Sequence, residues 1–316
     1  MTPSSASHGR LIARSSRSEI ARTLVCSGIR YPRSLDCVGE HPRAGLSPWG
    51  IPLDHGFACG SSSPVCSERD GPRVKGVILA GGLGTRLYPM TKVVNKHLLD
   101  VFDEPMIHFP IRSLARAGIR DVVLVTGREI EQFQQLLGDG ADFDIRIRYE
   151  QQEGERGIAD ALAKAAPHVD EPMVVILGDQ IFQEDLSPYV ERYGLQGRGA
   201  RLLLKRVSLD DAMRFGVATV DGARIMSIEE KPSEPKSDLV VTGCYMYDTR
   251  VFEIISRLEP SARGELEITD VNNAYIAAGE MTFEVLSGWW ADAGTHPSKL
   301  KASILVALAK GVTFHA

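Results

Sequence analysis

From Val74 onward the chain alternates between short, unbroken apolar runs and amphipathic stretches. "KGVILA", "DVVLVTG" and "MVVILGD" are too short for buried helices and read as strands covered on both faces. Between them stand "PMIHFPIRSLARAG", whose Met106, Ile107, Ile111, Leu114 and Ala115 can share one helical face, then "EIEQFQQLLGDG" and "GIADALAKAAPHV", with "DIRIRYE" as a further strand. Strand and helix in strict alternation predict parallel β units with helices on both faces of the sheet. A second section, "ARLLLKRV", "FGVATVDGARIMSIEEKP" and "LVVTGCYMYDT", has strands without long helices between them and reads as a mixed or antiparallel addition. "FEIISRL", "LEITDVNNAYIAAG" and "HPSKLKASILVALAKG" read as late helices. The predicted class is α/β, and no internal repeat is present. Ligands of an open parallel sheet sit beyond the carboxyl ends of its strands. That rule points to the loops after Ala80, Gly127, Glu150 and Gly178.

Composition narrows the picture. The 316 residues are 43% hydrophobic and carry a formal net charge of −5, so nothing suggests a nucleic-acid or membrane surface built on bulk positive charge. The longest apolar runs, "MVVIL" and "SILVALA", are too short to span a bilayer. The chain reads as a globular, soluble protein. Residues 1–73 differ from the rest: Ser, Arg, Gly and Pro make up half of them, no hydrophobic period persists, and their charge balance is +3 against −8 for the remainder. Such a composition is that of a poorly ordered segment. Three readings stand: an Arg- and Ser-rich transit peptide, a flexible regulatory tail, or a start assigned upstream of the true one, with Val74 as a non-AUG alternative. Function is expected from residues 74–316. Four of the five cysteines lie in the first segment and no C-x2-C pair occurs, so a zinc site is not expected. The lone Cys244 of the remainder fits a reducing cytoplasm.

The chemistry begins with Gly81-Gly82-Leu83-Gly84-Thr85-Arg86, directly after the first strand. Glycines there allow backbone N–H groups to approach an anion with no Cβ in the way. A plain strand-to-helix turn would look the same. A Walker loop requires Gly-Lys-Ser/Thr, and Gly84 is followed by Thr85-Arg86; a dinucleotide fingerprint requires a glycine where Leu87 stands. Two cations follow, Arg86 and Lys96, suited to a polyphosphate if they act together and to a solvated surface if they do not. Asp179 closes "MVVILGD" at the mouth of the sheet, and Asp292 sits in "GWWADAGTH". Magnesium is usually held by one or two carboxylates plus substrate phosphates, but an Asp after a strand can equally be a turn residue. Their separation along the chain says nothing about closeness in space.

Taken in order, the glycine loop, Lys96, "LGD", "EEKP" and "WADAGTH" resemble the sugar-1-phosphate nucleotidylyltransferases, from about Val74 to about Ala307. "QEGERGIADAL", "EEKPSEPKSDLVVTG" and "ARGELEITDVNNAY" are most similar to the shorter form of the thymidylyl-transferring branch. The resemblance implies a Rossmann-like three-layer fold of the nucleotide-diphospho-sugar transferase type, a mostly parallel sheet with a smaller mixed-strand sugar-binding section. It implies a reaction, dTTP plus α-D-glucose 1-phosphate giving dTDP-glucose and pyrophosphate, with Mg2+ as cofactor. The sugar phosphate attacks the α-phosphorus in line, so catalysis rests on positioning and charge neutralisation. It also implies a cytoplasmic homo-oligomer, commonly a tetramer, serving deoxysugar synthesis such as that of dTDP-rhamnose.

Residue roles follow from the same resemblance. Gly81, Gly82, Gly84 and Thr85 would cradle the nucleotide, Arg86 the triphosphate and its leaving pyrophosphate, and Lys96 phosphate near the reacting centre. Gln152 would read the thymine edge with Gly157 supplying a backbone contact, and Asp179 and Asp292 would hold the metal. Gly216 and Glu230 would meet sugar hydroxyls, Lys231 and Arg263 the sugar phosphate, with Thr242 and Gly243 lining the pocket. Three positions depart from the family pattern. Asp100 stands where Pro is usual and either pairs with Lys96 or faces solvent; Gln180 stands where Asn is common; Arg156 replaces a glycine beside the base pocket. The chain stops soon after Asp292, so the end-product site of longer relatives is not carried over. The same chemistry with UTP or another hexose 1-phosphate, or a catalytically silent sugar-nucleotide binder, remain as alternatives.

Overall fold

The computed structural model describes residues 74–314. The three readings of residues 1–73 fall outside the described residues. Thirteen strands occur among them: β1 (Lys75–Ala80), β2 (Asp100–Val101), β3 (Glu104–Pro105), β4 (Asp121–Thr126), β5 (Arg146–Gln151), β6 (Met173–Leu177), β7 (Gln180–Phe182), β8 (Ala200–Arg206), β9 (Gly216–Asp221), β10 (Arg224–Glu230), β11 (Leu239–Tyr247), β12 (Met281–Val285) and β13 (Trp290–Asp292). The helices are α1 (His108–Arg116), α2 (Ile130–Leu137), α3 (Ile158–Lys164), α4 (Ser187–Gln196), α5 (Leu209–Ala212), α6 (Val251–Ser256), α7 (Ile268–Ala277) and α8 (His296–Ala309).

The main sheet runs β10-β9-β11-β6-β1-β4-β5, with β8 on β11 and β12 on β8. β6, β1, β4 and β5 are parallel, and β11 joins β6 antiparallel. The apolar runs behave as expected of strands buried on both faces. Val77, Leu79, Val123, Val125 and Val175 enter one core with Leu162 and Val271, residues of α3 and α7. Ile78, Ala80, Leu124, Val174 and Ile176 enter the opposite core with Ile111, Leu114, Phe133 and Tyr189, residues of α1, α2 and α4. This is the expected three-layer α/β arrangement, with a mixed section formed by β8 to β12.

One local expectation needs correction. The first amphipathic helix begins only at His108; Met106 precedes it and packs in a separate cluster with Val101, Ile181 and Ala293. Glu104–Pro105 pairs with Asp100–Val101, and that hairpin takes the residues a longer helix would have used. The helix Ser187–Gln196 and the strand Met281–Val285 have no counterpart in the sequence reading.

β11 decides where the sheet opens. Its residues Cys244–Tyr247 pair with β6, while Val240 pairs with Val217 of β9. β8 runs along the other edge, and its ladder with β11 shifts register between Val241 and Tyr245. β6 and β9 therefore follow one another along the same edge of β11, and Gly243 stands at the fork between them. A polar cleft forms there.

Leu124 is wholly buried in β4 and Leu195 on α4 is 86% exposed. Leu124→Ala is expected to cost about 2–5 kcal/mol in denaturant unfolding, and Leu195→Ala less than about 0.5 kcal/mol. Equal losses in the two variants would contradict the assigned core.

Candidate active site

A cleft of about 370 Å3 lies at the carboxyl ends of β1 and β6 and the fork of β11. Thirteen of the residues predicted from sequence line it: Gly81, Gly82, Arg86, Lys96, Gln152, Gly157, Asp179, Gly216, Glu230, Lys231, Gly243, Arg263 and Asp292. Gly84, Thr85 and Thr242 do not. Gly84 caps the short 3-10 turn Thr85–Leu87 with a left-handed φ of 64°, and its carbonyl accepts from the Thr91 hydroxyl at 2.7 Å. Its part is to shape the loop that carries Arg86. Thr242 is fully buried, and its hydroxyl donates to the Leu203 carbonyl at 2.7 Å, so the side chain is turned into the sheet and away from the pocket.

The two aspartates meet because β7 and β13 form a small antiparallel ladder in which Asp292 opposes Gln180. Asp179 immediately precedes β7, and its carbonyl accepts from Ala293 N–H at 2.9 Å. A Cβ on Gly294 would stand 2.9 Å from Asp292 Oδ1, 3.2 Å from Asp179 Oδ2 and 3.5 Å from Arg86 Nη2. Three charged groups from three distant segments thus converge on one point, and glycine at 294 leaves it clear.

The pair is electrostatically unequal. Lys96 Nζ donates to Asp179 Oδ2 at 2.7 Å, and Gln180 Nε2 donates to Asp179 Oδ1 at 2.9 Å. Burial works to raise the Asp179 pKa, but the Lys96 ammonium outweighs it and holds this carboxyl well below the usual range. Asp292 is pushed the other way, first by burial and then by the negative charge of Asp179, with only the Gly294 N–H at 2.8 Å and the nearby cations opposing. Gln180, a departure from the family pattern, ties the pair together. Its Nε2 also lies 3.5 Å from Asp292 Oδ2, and its Oε1 accepts from Trp290 Nε1 at 2.7 Å. Behind Lys96, His97 is buried, and burial together with the Lys96 charge lowers its pKa to about 3. It is therefore a neutral packing group, hydrogen-bonded through Nδ1 to Asn95 at 2.9 Å.

The donor set fits a hard divalent cation: two carboxylates side by side, one of them short of positive partners. Among the described residues no group of three or more His, Cys, Asp or Glu is placed to hold a metal by itself. Such an ion would take its remaining oxygens from phosphate and water.

On the β1 side, Gln152 is buried, and its Nε2 donates to the Gly157 carbonyl at 3.0 Å and to Asp160 Oδ2 at 2.9 Å. Gly157 has a φ of 95°, and a Cβ there would stand 2.4 Å from the Leu266 carbonyl oxygen. Only glycine fits both constraints. In the glycine loop, Leu83 N–H donates to Glu155 Oε1 at 2.7 Å, an anion on the backbone just where one was expected from the loop's composition. On the β10 side, Glu230 opposes Gly216 and accepts from the Thr269 hydroxyl at 2.7 Å. Lys231 Nζ lies 3.2 Å from Glu230, and Arg263 Nη2 2.8 Å from Glu267 and 4.0 Å from Glu230. Two cations and their acidic partners thus form the second pole of the cleft. Asp100 resolves plainly: it is exposed and lies 3.6 Å from Lys299, not against Lys96. Arg156 is exposed as well.

Sequence reasoning missed Glu155, Asp160, Thr269 and the Phe215–Trp290 ring pair, 5.1 Å apart, at the cleft wall. Asp160 and Thr269 stand one helical turn or less inside α3 and α7, where polar residues carry no distinctive spacing. Glu155 could have been flagged as an acid in the same loop as Gln152.

Known proteins resemble this chain closely. The nucleotidyl transferase family model matches residues 75–307. A glucose-1-phosphate thymidylyltransferase of Neisseria meningitidis is 43% identical over 239 residues, 74% of this chain and 82% of the relative. That of Mycolicibacterium smegmatis is 40% identical over the same shares. A Bacillus anthracis protein described as a glucose-1-phosphate thymidylyltransferase, crystallised with a sucrose, is 48% identical with a TM-score of 0.71, covering 77% of this chain and 98% of its own. A UDP-glucose pyrophosphorylase bound to UDP-glucose shares the fold at 23% identity and a TM-score of 0.68, over 75% and 99% of the two chains. With the match spanning the glycine loop, the paired aspartates and the β10 pole alike, the chain belongs to the nucleotidyl transferase family.

Proposed function

We propose that this protein transfers a thymidylyl group from dTTP to α-D-glucose 1-phosphate, releasing pyrophosphate and giving dTDP-glucose. The observation that carries the reading is the convergence of Asp179, Asp292, Arg86 and Lys96 beside the glycine loop, in a chain whose relatives of 40% identity or more are named for that activity. Mg2+, held by Asp179 and Asp292, would neutralise the triphosphate and relieve the repulsion between the two carboxylates. Arg86 binds the triphosphate and steadies the charge gathering on the leaving pyrophosphate. Lys96, next to Asp179, neutralises phosphate as the sugar phosphate anion closes on the α-phosphorus. Lys231 and Arg263 grip that anion from the far pole, and Glu230 takes a sugar hydroxyl beside Gly216. Because the nucleophile is already an anion, no general base is required, and none is needed from the neutral His97. The bond from sugar phosphate oxygen to α-phosphorus forms as the α,β-bridging bond breaks, and pyrophosphate carries the charge away. We place the activity in the cytoplasm, in a homotetramer that supplies a deoxysugar route. Among the described residues, no helix is long and apolar enough to cross a membrane.

Pyrophosphate release by the full chain with Mg2+ is the test, crossing dTTP, UTP, CTP, ATP and GTP with glucose, mannose and galactose 1-phosphates. dTTP with glucose 1-phosphate should lead; turnover led by any other pair overturns the assignment. Asp179→Asn and Asp292→Asn should each lower kcat/KM by about 10²–10³-fold, since each removes several kcal/mol of metal-borne charge stabilisation. A loss under threefold in either would remove that carboxylate from the metal site.

The two aspartates should also act oppositely on metal-free stability. A lowered folded-state pKa at Asp179 contributes stability above the unfolded carboxylate range and loses it as pH falls. A raised one at Asp292 does the reverse, favouring the fold at acid pH and costing stability once the group is forced to ionise. In EDTA at pH 7.5, Asp292→Asn should therefore raise Tm, although the same variant loses turnover when assayed with Mg2+, and the gain should fade toward pH 4. A lower Tm for Asp292→Asn at pH 7.5 would refute this sign.

A further inference from the structure

The Gln152 amide can face the cleft in two ways, and its surroundings allow one. Both hydrogens of its Nε2 are taken, by the Gly157 carbonyl at 3.0 Å and Asp160 Oδ2 at 2.9 Å. A backbone carbonyl and a carboxylate oxygen only accept, so turning the amide over would set Oε1 against two acceptors. With Gln152 buried, turning it over would leave a largely desolvated mismatch. Oε1 is left pointing at the glycine loop: a Cβ on Gly81 would stand 2.8 Å from it. Gln152 thus shows the cleft an acceptor and no donor.

We propose that Asp160, which does not itself line the cleft, is a positioning residue that sets nucleobase choice by locking the Gln152 amide with its oxygen toward the ligand. This rests on the thymidylyl reading above, in which Gln152 meets the pyrimidine edge. Thymine and uracil carry an N–H at ring position 3, which the oxygen accepts. Cytosine carries a lone pair at the same position, so the locked amide meets it acceptor to acceptor. A site built around a fixed hydrogen bond rejects a base that cannot complete it, because the buried group is then left unpaired. The lock is blind to the 5-methyl group, so Asp160 should not separate thymine from uracil.

Asp160→Asn keeps shape and replaces an acceptor-only partner by an amide that can also donate, which permits the Gln152 amide to turn over. Asp160→Ser does the same with a hydroxyl, should the first variant fold poorly. Asp160→Glu keeps the acceptor-only chemistry and serves as the rescue. In wild type and variants, kcat/KM is measured with dTTP, dUTP and dCTP against glucose 1-phosphate, and equilibrium binding of dTTP and dCTP is measured without the sugar. We expect the dTTP:dCTP ratio to fall tenfold or more in Asp160→Asn and Asp160→Ser in both assays. The dTTP:dUTP ratio should stay within twofold, and Asp160→Glu should keep most of the wild-type discrimination. An unchanged dTTP:dCTP ratio, or an equal fall in both ratios as from general loosening, overturns the inference. A wild type that turns over neither dTTP nor dUTP overturns the thymidylyl reading and the inference with it, and is seen before any variant is compared.

Discussion

Two carboxylates held side by side in a poorly solvated cleft repel each other, and the region around Asp179 and Asp292 is organised by the need to offset that repulsion. The β7–β13 ladder forces the approach by setting Asp292 opposite Gln180. Lys96 then holds Asp179 ionised, Gln180 bridges both groups, and Gly294 keeps the intervening point free of a side chain. What is left is a charge imbalance at Asp292 that the Gly294 N–H and the nearby cations offset only in part among the described residues. A site of this kind is less stable than it would be with one carboxylate removed, and a cation bound there, as proposed, would offset the deficit.

The opposite pole is arranged differently. Glu230, Glu265 and Glu267 already face Lys231 and Arg263, so these cations are held in place before any anion arrives. A phosphate entering there must compete with half-exposed ion pairs, which are individually weak. Between the poles, the fork of β11 sets the separation: β6 delivers the aspartate end and β9–β10 the Glu230 end along one edge of a single strand. On the proposed assignment, phosphate chemistry and sugar recognition would be fixed to the same element. That suits a reaction in which the acceptor anion must be brought in line with the α-phosphorus.

On the proposed base side, a selectivity determinant would lie one residue removed from the ligand. Gln152 alone could face either a donor or an acceptor toward the cleft. Gly157, obliged to be glycine by its φ and by Leu266, presents one carbonyl to the amide, and Asp160 supplies the second acceptor. The direction of one hydrogen bond is thus decided by two groups, one of which does not line the cleft.

The layer pattern was legible in the sequence because fully apolar strands and amphipathic helices have different periods, and a parallel sheet with both faces covered is what those periods require. The ligand end was legible too, since it follows from strand direction. Helix limits were less so. The run beginning at Pro105 shows a helical face from its second residue, Met106, yet the β2–β3 hairpin claims Glu104 and Pro105, a pairing that no local pattern announces. Among site residues, Arg86 and Asp179 were marked by type and by position after a strand, Lys96 by its charge downstream of the glycine loop, and Gln152 by the family resemblance alone. Thr242 was placed in the pocket from its neighbours in a motif, and the register shift in β11 turns its hydroxyl to Leu203 instead. Sequence by itself determined the sheet, its active edge and the kinds of charge available, because these depend on local periodicity and residue chemistry. Only the tertiary structure decided that Asp292 meets Asp179, that Gln180 spans them and that Asp160 orients Gln152. Those are contacts between segments far apart along the chain or between a strand end and the helix after it, set by strand register and packing, and neither leaves a periodic trace.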